Sequence, residues 1–120
     1  MAPALRELDF FDNLISYIQG LEGFIELTSL DLSFNLIKRI MKLNHLEKLR
    51  DLYLVNNKIS KIEELEGLKS LRRLDLGMNR IRSLEGLETL TALEELSLDK
   101  NKITELEVRY ILTRRAWSAR

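Results

Sequence analysis

Two rhythms of apolar residues alternate along this chain. In "LRDLYLVNNKISKIEELEGL", which opens at Leu49, apolar positions fall first at Leu49, Leu52 and Leu54. After an asparagine they fall at Ile59, Ile62, Leu65 and Leu68. The L-x-L step has period two, which predicts a short strand with one buried face. A spacing of three after the asparagine suits a 3₁₀-like or irregular return better than a long α-helix.

The same phrase comes back every 22 residues. Asparagine stands at Asn13, Asn35, Asn57, Asn79 and Asn101, and around each the order is L-x-x-L-x-L-x-x-N-x-[LI]-x-x-[LI]. The copies run from Leu5, Leu27, Leu49, Leu71 and Leu93, and the last closes at Leu106. Phe10 replaces a leucine in the first copy and is expected in the core. This is the pattern of a leucine-rich repeat. A single coil cannot bury its own leucines, whereas stacked coils share a continuous core. The expected fold is an α/β solenoid of five 22-residue coils, with a parallel concave sheet and a 3₁₀-like or irregular convex side. Residues 1–4 read as a leader, 5–106 as the repeat domain and 107–120 as a divergent basic tail. The five asparagines are expected to stack in the turn after each strand, where a side-chain amide can satisfy backbone groups of its own and the neighbouring coil.

Function must come from positions the repeat leaves free. Residues between the strand leucines are expected on the concave face. They are Glu7, Asp9, Phe11 and Asp12; Ser29, Asp31, Ser33 and Phe34; Asp51, Tyr53, Val55 and Asn56; Arg73, Asp75, Gly77 and Met78; Glu95, Ser97, Asp99 and Lys100. Eight of these are acidic and two basic, while the whole chain is neutral, so the remaining surface must be basic. Acids on an exposed sheet can serve solubility alone. Solvent-facing aromatics beside them point instead to binding, and Asp9, Asp31, Tyr53, Asp75, Phe11 and Phe34 are the candidate contacts.

Other chemistry is thin. Net charge of zero argues against nucleic acid or an anionic membrane as partner. With no cysteine there is no disulfide or thiolate metal site, and an intracellular setting is favoured. No apolar run approaches the ~20 residues of a membrane span, and "MAPALRELDFFDN" is not expected to act as a signal sequence. His45 is the only histidine, and Ser29, Ser33 and Ser97 lack a histidine base beside them in sequence. Asp31 and Asp75 would lie two coils apart, at about 4.8 Å per coil, on an open face. Neither catalytic residues, metal nor cofactor are expected.

The words "LTSLDLSFNLIKRI", "LYLVNNKISKIEELEGL" and "LRRLDLGMNRIRSLEGLETLTALEELSLDKNKIT" resemble the leucine-rich regulatory subunits of type-1 protein phosphatase (regulatory subunit 7) over residues 5–106. Bacterial internalins and axonemal dynein light chains share the 22-residue class. The resemblance implies a cytoplasmic and nuclear protein that grips the phosphatase catalytic subunit with acidic and aromatic residues of the middle strand column. Asp31, Tyr53 and Asp75 match those positions. A phosphatase inhibitor protein is the further partner the resemblance implies. The alternative is an interaction scaffold for another client, cytoskeletal or signalling. Beyond Leu106 the repeat lapses, since Arg109 stands where leucine is due. The tail is expected to be loosely held, or to fold Val108, Ile111 and Leu112 over coil five with Trp117 outside.

Overall fold

Five three-residue strands recur in step with the repeat: β1 Glu7–Asp9, β2 Ser29–Asp31, β3 Asp51–Tyr53, β4 Arg73–Asp75 and β5 Glu95–Ser97. They pair in chain order, parallel and in register, so that Leu8, Leu30, Leu52, Leu74 and Leu96 align across the sheet. The computed structural model describes residues 4–115 and 118–119. Short strands suffice because β2 to β5 each pair on both sides and each strand needs only one leucine to anchor it.

Each return is a pair of tight turns. In the third coil Leu68 N–H donates to Leu65 O at 3.0 Å and Leu71 N–H to Leu68 O at 3.3 Å, and the other returns repeat this. Apolar spacing of three is therefore the spacing of successive i to i+3 bonds. The core fills the coil interior. Leu30, Leu52, Ile37, Ile59, Leu43 and Leu46 are fully buried, and their counterparts in later coils nearly so, except Ile103, which is half buried. Coil one is looser: Leu5 is 40% exposed, and Phe10 is half buried, packing against the core from one side only.

A second regularity was not read from the sequence. Asp12, Phe34, Asn56, Met78 and Lys100, each just before a ladder asparagine, have φ between 53 and 60°. The return carries another left-handed position at Gly20, Lys42, Glu64 and Gly86. Glycine is required at Gly86, where a Cβ would lie 2.2 Å from Ile62 O.

The chain then departs from the repeat. Residues Glu105–Arg115 form α1, and Ser118–Ala119 form β6, which continues the parallel sheet on β5. The proposed boundary at 106/107 thus falls inside the first helical turn, and the described part of the tail forms helix and strand. Leu106, assigned to the core by the repeat pattern, is 78% exposed because α1 has already begun. Val108 and Ile111 are half buried. Trp117 and the side chain of Leu112 lie outside the described residues. None of the described helices is long and apolar enough to cross a membrane.

Candidate functional site

The turn after each strand is built by the asparagines. Asn57 Nδ2 donates to Leu54 O and Val55 O of its own coil and to Leu32 O of the preceding coil, at 3.2, 3.4 and 3.0 Å. Its Oδ1 accepts from Ile37 N–H at 3.0 Å. Asn35 and Asn79 make the same contacts, Asn101 likewise, and all three central asparagines are buried. Asn13, in coil one, is exposed and its Nδ2 reaches only Phe10 O and Phe11 O.

This ladder sets the heights of the strands, and register does the rest. Asp9, Asp31, Tyr53, Asp75 and Ser97 fall into one row across the concave sheet. The aspartates also hold the backbone. Oδ1 of Asp9, Asp31 and Asp75 accepts from the N–H two residues on, at 2.9, 2.9 and 3.0 Å. These are Asx turns, in which a carboxylate replaces a backbone acceptor as the strand ends. The second oxygen of each takes no hydrogen bond from a described residue. Tyr53 cannot reach its own chain this way. In its coil Val55 N–H donates instead to Ser33 Oγ of the previous coil at 3.0 Å.

That substitution corrects the expected surface. Ser33 is 3% exposed and Ser97 7%, so both leave the open face. Ser97 Oγ donates to Asp99 Oδ1 at 2.9 Å. Gly77 is buried as well. Phe11 and Phe34, proposed separately, meet at the rim with ring centroids 5.1 Å apart and planes tilted by 53°, and both remain exposed.

Arg73 is the element sequence reasoning missed. It stands between Asp51 and Glu95 in the row beside Tyr53. Its Nε lies 2.7 Å from Glu95 Oε2 and 4.0 Å from Asp51 Oδ1. Hydrogen bonding with Tyr53, and then with Glu95, raises its pKa further above the usual value. The signal was present as alternating charge at 22-residue spacing: Asp51, Arg73, Glu95. Tyr53, Arg73, Asp75, Glu95 and Ser97 line a shallow polar hollow of about 470 Å³. Among the described residues no group of three or more histidine, aspartate or glutamate side chains is placed to hold a metal ion. The arrangement offers acceptors, one fixed cation and one aromatic ring, which is equipment for recognition.

Residues 3–48, 47–89 and 69–110 match the family model described as leucine-rich repeats, two copies. No curated protein matches the chain. Among solved structures, a chain of the Drosophila melanogaster SNF/U2A′ complex is 30% identical, with 93% of this chain and 69% of that one covered and a TM-score of 0.80. A leucine-rich-repeat protein of Leptospira interrogans is also 30% identical, covering 94% of this chain and 30% of that one at a TM-score of 0.84. An internalin of Listeria monocytogenes is 26% identical, covering 85% and 37% at a TM-score of 0.68.

Proposed function

The chain belongs to the leucine-rich repeat family, and from that premise we propose that it is a docking subunit for the catalytic subunit of type-1 protein phosphatase, held on the concave face, in cytoplasm and nucleus. A phosphatase inhibitor protein is the further member of the assembly. One observation carries this reading: Asp31, Tyr53 and Asp75 are direct neighbours in register on three adjacent strands, open to one partner surface. Tyr53 offers a large ring with a polar tip, the kind of side chain that anchors interfaces. The unbonded carboxylate oxygens would meet lysine or arginine, steering approach and making it sensitive to salt.

Immobilised chain is expected to capture purified phosphatase catalytic subunit. Tyr53→Ala should weaken capture by about 2 kcal/mol, roughly 30-fold. The double variant Asp31→Asn, Asp75→Asn keeps the Asx-turn acceptors and removes two charges, so it should slow association without altering the melting curve. Unchanged binding by all of these variants would refute the concave-face model. A second reading keeps the face and changes the client. It is favoured by the matched Drosophila chain, whose structure is that of an SNF/U2A′ complex. Capture of a different protein, lost with Tyr53→Ala and without phosphatase, would select it.

A further inference from the structure

Residues just after each ladder asparagine leave the concave face and form one flank of the solenoid. In register they are Leu14, Leu36, Lys58, Arg80 and Lys102. Backbone bonds hold the column: Leu36 N–H to Ile15 O, Lys58 N–H to Ile37 O, Arg80 N–H to Ile59 O and Lys102 N–H to Ile81 O, at 2.8, 2.8, 2.8 and 2.9 Å. Ile37, Ile59 and Ile81, one residue on, are buried, so Lys38 and Arg82, two residues on, return to the same side.

Several cations elsewhere are ion-paired. Lys48 pairs with Glu26, Arg39 with Glu63 and Glu64, Arg72 with Glu94 and Arg73 with Glu95. On the flank, Lys38, Lys58, Arg80, Arg82 and Lys102 make no ion pair with a described residue, and segments 36–40, 58–62 and 80–84 contain no acid. Neighbouring coils stand about 4.8 Å apart, at which two like charges in water repel by about 1 kcal/mol. One acid in the column would relieve this, as acids do on the convex side. At its other end the column turns apolar, with Leu14 83% and Leu36 37% exposed and the Phe11–Phe34 pair nearby.

We propose that this flank is a second docking surface, separate from the concave face, for an acidic protein segment that carries apolar side chains at one end. Leucines of coils one and two receive the apolar end, and Lys58, Arg80, Arg82 and Lys102 receive the carboxylates. Four coil steps span about 19 Å, the length of about thirteen helical residues. Single-stranded nucleic acid is the poorer fit, because no aromatic ring stands among these four cations to stack a base.

The test uses a labelled synthetic peptide of about fourteen residues, two leucines at one end and four glutamates along the remainder, titrated into the whole chain by fluorescence anisotropy. The expected result is saturable binding that weakens about tenfold or more in Lys58→Glu, Arg80→Glu, Lys102→Glu, weakens in Leu14→Ser, Leu36→Ser, and is unchanged in Tyr53→Ala. The last arm separates this surface from the concave one. Should the charge-reversal variant fail to fold, Lys58→Gln, Arg80→Gln, Lys102→Gln takes its place. No binding, equal binding by the charge variants, equal binding of a peptide without leucines, or preference for a single-stranded oligonucleotide of equal charge would each overturn the proposal.

Discussion

Asn57 makes four hydrogen bonds, two of which tie its coil to the one before, while Asn13 serves only its own turn. The same side chain should therefore count differently in the two places. Asn57→Leu leaves Ile37 N–H without its acceptor in a buried site, while Leu32 O keeps the bond from Asn35 Nδ2, and the expected loss is about 1–3 kcal/mol. Asn13→Leu is expected to change stability by less than about 0.5 kcal/mol, as at an ordinary surface position. Urea denaturation of both variants checks this, and equal losses would mean the inter-coil bonds contribute nothing. Residue-scale charge gives a second expectation. Hydrogen bonding and attraction from Lys48 lower the Glu26 pKa below the ordinary value of 4.5. A lowered folded-state value means that the pair's contribution is present above 4.5 and fades as pH falls through the folded value. Glu26 is exposed, so screening keeps the effect small. An NMR titration should find the Glu26 midpoint below 4.5, and Lys48→Ala should return it toward that value; a midpoint unmoved by Lys48→Ala would discard the pairing.

At the scale of elements, strands and returns were legible because their apolar periods, two and three, are imposed by the backbone geometry that buries them. Each leucine of the L-x-L pair appears where the pattern places it, as Leu52 and Leu54 do, fully buried. The helix α1 was not anticipated, although its start signal is in the chain. Thr104 and Glu107 form a capping box: Thr104 N–H donates to Glu107 Oε2 at 3.0 Å, and Glu107 N–H to Thr104 Oγ1 at 3.2 Å. Glu105 and Glu107 add negative charge to the first turn, and Arg109 lies 3.3 Å from Glu105 one turn on. The leucine pattern ran on to Leu106 and masked the T-x-x-E word across which it lay. Thr104→Ala should lower the stability of α1 by about 1 kcal/mol, seen as faster amide exchange in 105–111 with the exchange of β2 to β4 unchanged. Unaltered exchange in α1 would show that the helix holds without its cap.

Over the whole molecule, coil stacking turns a neutral chain into faces of opposite charge, acidic on the strands and basic on the flank. The acidic face could be foreseen because strand positions alternate strictly. Its finer structure could not, since a tyrosine in one coil is served by a serine of the coil before, and the distance between Ser33 and Val55 is fixed by stacking and not by the chain. Phe11 and Phe34 met for the same reason. Stacking also makes the ends unlike the middle. Among the described residues β1 pairs only with β2, leaving one row of its backbone groups without a strand partner there. Beside it Leu5, Leu14, Tyr17 and Ile25 are 40, 83, 69 and 60% exposed, and Phe10, Ile15, Ile18 and Leu21 border a cavity of about 280 Å³ at the same end. An open edge next to exposed apolar side chains favours strand addition. Weak self-association through coil one is therefore expected, with sedimentation velocity showing a mass that rises with concentration. Tyr17→Lys with Leu5→Lys should suppress it, because like charges would then face each other across the contact. The concave face should bind as before in that variant, being on other residues. A mass that stays monomeric at every concentration in the parent would mean that coil one, despite its exposed leucines, is already closed to partners.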